Sequence, residues 1–160
     1  MVEPWLRGTL GELDAVKRQV LHALELAGED VERWCGGMSE EELEEWPLGL
    51  PSIGFHLRHM VRSLDRLLTY AEGHQLSTGQ LAGLTTEGMA SGGLAEFRTG
   101  LMQAMGRVMA FDPGRYEERR SVGRHMLPST VGGLLVHCAE HTQRHLGQAV
   151  TTAKVVVAGR

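Results

Sequence analysis

In Leu134-Leu135-Val136-His137-Cys138-Ala139-Glu140-His141-Thr142-Gln143-Arg144-His145-Leu146-Gly147-Gln148, apolar residues and histidines recur at helical spacing on offset faces. Leu134, Leu135, Cys138 and Ala149 belong to a buried stripe that continues to Val156, so the segment reads as one helix running to about Ala158. Ser129 or Thr130 can cap its start. At about 100° per residue, His137, His141 and His145 fall in a sector roughly 80° wide, with neighbouring rings one turn or about 6 Å apart along the axis. Neutral imidazole is a common ligand for divalent transition metals, and an i,i+4 pair can supply two nitrogens to one ion. The outer two histidines, about 12 Å apart along the axis, are too distant to share it. One adjacent pair is therefore the expected ligand set, and spacing alone does not choose which.

A third donor must come from another element. Ser52 can cap a helix in which Ile53, Leu57, Met60, Leu64, Leu67, Leu68 and Ala71 share a face and which Gly73 closes. This helix carries His56 and His59 near its start, where a bundle can bring them beside the last helix. On a helical wheel His56 lies roughly 50 to 60° from the centre of the apolar face and His59 farther round, at the flank. Periodicity slightly favours His56, whereas a ligand in an open groove belongs on the flank, so the wheel leaves both open.

Working outward, Leu6, Leu10, Leu13, Val16, Val20 and Leu24 predict a first helix, with Pro4 in its first turn and Gly28 as its terminator. Residues 29–51 read as a connector containing one short acidic turn, opened by the capping box Ser39-Glu40-Glu41-Glu42 and ended by Trp46-Pro47. From Gly73 to Gly93 the chain is rich in Gly, Ser and Thr, which predicts a mobile or partly ordered loop long enough to be a lid. Leu94, Phe97, Leu101, Met105 and Val108 give a third helix, stopped by Asp112-Pro113-Gly114, and residues 115–128 look extended. Four amphipathic segments without alternating strands or repeats predict an all-α four-helix bundle spanning residues 1–160 as one domain. Its long connections permit a crossover topology as readily as an up-and-down one.

With 160 residues, 42% hydrophobic and 22% charged, the chain can bury a real core. A formal charge of -4 provides no basic field for nucleic acid or an anionic membrane, no apolar run is long enough to span a bilayer, and the start lacks an export signal. A cytoplasmic protein is expected, with Cys35 and Cys138 as reduced thiols rather than a disulfide.

Ser52-Ile53-Gly54-Phe55-His56-Leu57-Arg58-His59-Met60, together with the stretch from Leu134 to Gln148, resembles the DinB/YfiT-like superfamily of metalloenzymes, and the order of four helices extends the similarity over nearly the whole chain. In that family one histidine, seven residues after the Ser/Thr opening the second helix, joins an H-x-x-x-H pair just before x-G-Q on the last. The resemblance thus implies His59, His141 and His145 as ligands and overrides the wheel's preference for His56. It also implies Ni or Zn, a homodimer, and either hydrolysis or chemistry with a low-molecular-weight thiol on a small-molecule substrate.

His56, His137, Cys138 and Gln148 are candidates for groups that line the site or orient its ligands. Cys138 reads first as a small buried hydrophobe. His22, His74 and His125 have no partner in spacing and are expected at the surface. Three histidines would leave one coordination position for water, whose pKa a divalent ion lowers to about 7, or for a substrate thiol. A hydrolase or thiol S-transferase is the first functional expectation, and a non-catalytic metal-binding or dimerisation bundle the alternative.

Overall fold

The computed structural model describes residues 2–88 and 92–159. Six helices are present among them: α1 (Ala15–Cys35), α2 (Glu40–Glu44), α3 (Ile53–Ala71), α4 (Thr78–Thr86), α5 (Gly93–Ala110) and α6 (Val131–Ala158). A two-stranded antiparallel hairpin, β1 (Arg119–Val122) and β2 (Leu127–Thr130), precedes α6, so the segment expected to be extended is a paired ribbon. The four long helices enclose the core, which draws Leu24, Val31, Leu57, Leu64, Phe97, Val108, Leu135 and Ala149 from all of them. None of the described helices is long and apolar enough to cross a membrane.

Side-chain contacts fix the topology. α3 and α6 run antiparallel, with His56 beside His145 and His59 beside His141. α3 and α5 run parallel, because Arg62 reaches Glu96 while Arg107 reaches Glu72. α1 lies antiparallel to α5, through Glu32 with Arg98 and Lys17 with the Met109 carbonyl, and parallel to α6. The directions are therefore up, down, down, up, and the crossover that parallel α3 and α5 require is made by the segment carrying α4.

Three expectations need correction. The first helix starts at Ala15, where the Asp14 side chain accepts from the Lys17 amide, because Gly8 (φ 69°) and Leu10 (φ 58°) are left-handed and interrupt the earlier turns. Leu10 and Leu13 still pack on the core from this irregular segment, which is why they kept the helical phase. Gly28 does not end the helix. It lies seven residues inside α1, where an added Cβ would sit 3.1 Å from Leu101 Cδ2, so the glycine permits close approach of α5. The stretch from Gly73 to Gly93 is not simply a loop: Ser77 and Gln80 form a capping box that opens α4, whose residues are none of them buried.

Other local signals hold. Ser52 caps α3 by accepting from the Phe55 amide, Thr130 caps α6 by accepting from the Gly133 amide, and the Ser39/Glu42 capping box opens α2.

Candidate metal centre

His59 leaves α3 on the side facing α6, and His141 and His145, one turn apart, face it from α6. One potential ligand atom from each of His59, His141 and His145 can be chosen so that all lie within 4.8 Å of one another, and all three residues are half-buried. Among the described residues this is the one group of three or more His, Cys, Asp or Glu side chains so arranged. His59 Nε2 and His141 Nε2 are 3.3 Å apart, and the His59 and His145 ring centroids 4.4 Å. Two nitrogens each about 2.05 Å from a tetrahedral ion are separated by roughly 3.3 Å, so the first pair already has the spacing of a shared ligand edge.

The residues present fit such an ion chemically as well as by distance. Burial, reinforced by the neighbouring imidazoles, pushes His141 and His145 down to about 4, and Arg144 adds to the effect on both. Both rings are therefore neutral at physiological pH, the form that donates a lone pair to a metal.

The other predicted residues are spread around this centre. His56 is buried, and its Nδ1 lies 3.2 Å from His145 Nδ1; burial, then His145 and His59, push it down to about 4. It sits behind His145, outside the three-histidine group. His137 is half-buried, pairs with Glu140 at 3.4 Å and approaches the centre only through its ring, 5.7 Å from that of His141. Cys138 is fully buried in the core and burial pushes its thiol up to about 12, the state of an inert hydrophobe rather than a zinc thiolate. Gln148 is exposed. His22, expected at the surface, is instead 4% exposed, with Nε2 3.2 Å from Thr9 Oγ1; the irregular segment before α1 folds over it. His74 and His125 are exposed.

Sequence reasoning missed the groups that hold the centre from the other side. Glu87, just after α4, is 6% exposed; its Oε2 lies 2.6 Å from His59 Nδ1 and its Oε1 accepts from Arg66 at 2.8 Å. Burial alone would raise this carboxyl, but the hydrogen bonds from His59 and Arg66 outweigh it and hold the group below the usual carboxylate range. Arg58, fully buried, donates through Nε to the Glu87 carbonyl at 2.9 Å and grips Glu44 with both Nη atoms at 2.5 and 2.8 Å. Gly54 makes this grip possible, since a Cβ there would lie 2.1 Å from Glu44 Oε1. The Phe55 ring stacks on His59, centroids 5.5 Å apart. A signal for Glu87 was available: it is the one acidic residue between Glu72 and Glu96.

The DinB superfamily model matches residues 23–149, which include α3, α6 and all three histidines. This chain belongs to the DinB superfamily. None of the curated proteins matches it. Membership accounts for the helical bundle, and the three-histidine group gives this DinB-superfamily protein a site that could hold a metal ion.

Proposed function

We propose that this chain is a metal-dependent enzyme acting on a small molecule, with one divalent transition metal, Ni or Zn, held by His59, His141 and His145. The observation that carries this reading is the convergence of three half-buried imidazoles from two antiparallel helices, with no fourth protein ligand in the group among the described residues. Catalytic sites keep an open coordination position, whereas structural zinc sites are closed by four protein ligands. When bound, the ion supplies Lewis acidity toward whatever shares that position, a water for hydrolysis or a thiol for S-transfer.

The chain's own residues do the rest. The neutral His141 and His145 rings donate lone pairs, Phe55 covers one face of His59, and Arg58 with Glu44 ties α2 to α3. Transfer to or from a low-molecular-weight thiol is favoured over hydrolysis by one feature. Glu87, the carboxylate in contact with a ligand, is already committed to His59 and Arg66 and so is poorly placed to take a proton from water. Thiols ionise more readily than water and depend less on a protein base.

The test is metal analysis of protein purified without a histidine tag, followed by assay of the Ni- and Zn-loaded forms with thiol-plus-electrophile, ester and phosphoester panels. One ion per chain, and turnover that disappears in His141→Ala, are expected. One ion without turnover in any panel would make the chain a non-catalytic metal-binding bundle, and no ion at all would remove the metal reading.

A further inference from the structure

Glu87 has a role that the three-histidine group alone does not express. Its carboxylate lies between His59 Nδ1 and the Arg66 guanidinium, and a carboxylate paired with a guanidinium is acceptor-only, with no proton to donate. The 2.6 Å contact with His59 must therefore be made by Nδ1–H of the imidazole, so the ring nitrogen free to offer a lone pair is Nε2, the atom facing His141. In the opposite tautomer Nε2 would carry the proton and could not bind a metal until it was lost. Metal-bound histidines in general donate their other N–H to a carboxylate, carbonyl or water, and losing that partner typically weakens metal binding 10- to 100-fold.

Further contacts hold Glu87 in place. Arg66, about two helical turns along α3 from His59 and itself held on Ser63 Oγ at 2.9 Å, takes the second carboxylate oxygen. Arg58 binds the Glu87 backbone carbonyl, and Glu44 anchors Arg58. The end of the α4 segment is thus tied to α3 at its carbonyl and at both carboxylate oxygens, and the crossover chain carries a built orienting group rather than a passing surface acid.

We propose that Glu87 is a positioning residue that fixes His59 as the Nδ1–H tautomer, aims Nε2 into the centre and thereby raises the metal affinity of the site. The inference rests on the metal reading above, but its central physical content, the tautomer, is measurable without any ion.

The experiment compares wild type, Glu87→Gln and Glu87→Ala. Long-range proton–nitrogen NMR on the metal-free proteins reads the tautomer of His59, assigned with His59→Ala, and chelator competition reads the Zn²⁺ affinity. Wild type is expected to show a single Nδ1–H tautomer, and Glu87→Ala a mixture, with Zn²⁺ bound about 10- to 100-fold more weakly at unchanged stoichiometry. Glu87→Gln keeps side-chain volume but replaces an acceptor-only carboxylate with an amide that can accept from or donate to Nδ1, so it decides the matter if Glu87→Ala fails to fold; a shift of its tautomer balance and weaker Zn²⁺ binding are again expected. An unchanged tautomer and unchanged affinity in the folded variants would overturn the role of Glu87 while leaving the metal site intact. If wild type binds no Zn²⁺, the metal reading fails, and the tautomer measurement still decides what Glu87 does to His59.

Discussion

The interface between α3 and α6 has two halves built from the same pair of helices and opposite in chemistry. At the C-terminal half of α3, Tyr70 and Ala71 pack with Leu134 in an apolar cluster that Leu67, Leu76, Phe111 and Val122 cover. At the N-terminal half, His56 and His59 meet His145 and His141, and these rings need support from outside the pair: Glu87 for His59, and Glu44 for the Arg58 that holds Glu87 in place. Apolar packing is non-directional, so Leu76, Phe111 and Val122 can cover that half from outside the two helices without any set geometry. Buried polar groups need partners at set distances and angles, so the histidine half recruits the two connections. Two neighbouring atoms on α6, His141 Nδ1 and Thr142 Oγ1, are buried with no partner among the described residues.

The comparison is sharpened most by paired truncations. Leu134→Ala should lower unfolding free energy by about 2–5 kcal/mol in urea titration, the usual range for a buried leucine, and leave one metal per folded chain. His141→Ala should cost much less in the metal-free protein, because it removes an unsatisfied buried nitrogen, yet abolish stoichiometric metal. Equal stability losses would break the distinction between a half that holds the fold and a half that holds the site.

A smaller effect is expected from Gly54→Ala. The new methyl would occupy the position of Glu44 Oε1, so the Arg58–Glu44 grip must open, at a cost of about 1–3 kcal/mol by chemical denaturation. The His59 tautomer should become less well defined in the same variant, because the anchor of Glu87 loosens. A variant with wild-type stability would show that the grip contributes nothing.

Acidification gives the most gradual change. His56, His141 and His145 titrate near 4 in the folded chain and near 6.5 when unfolded. Between these values the unfolded state binds more protons, so stability of the metal-free protein rises with pH across this window and declines as pH falls from about 6.5 toward 4. Thermal unfolding at a series of pH values should show this slope, and His145→Phe should reduce it. A flat profile would mean that the histidine half is as open to protons when folded as when unfolded.

What could be read ahead of the structure follows the range of each interaction. Ser52, Thr130 and the Ser39/Glu42 pair act over three residues, and their caps stand as expected. Ser77 and Gln80 obey the same rule, but the glycine-rich surroundings concealed them and α4 was missed. Gly28 carried a terminator's signal because its actual reason, the nearness of Leu101 seventy-three residues later, leaves no local trace.

The sequence by itself determined the helices that matter: their caps, their apolar faces, and the i,i+4 spacing that puts His141 and His145 on one side of α6. These are consequences of helix geometry, which needs only neighbours along the chain. Tertiary structure decided the antiparallel meeting of α3 and α6 that brings His59 to that pair and turns His56 behind His145. It alone brought Glu87 back across α3, because a hydrogen bond between residues twenty-eight apart depends on the path of the crossover rather than on any local pattern.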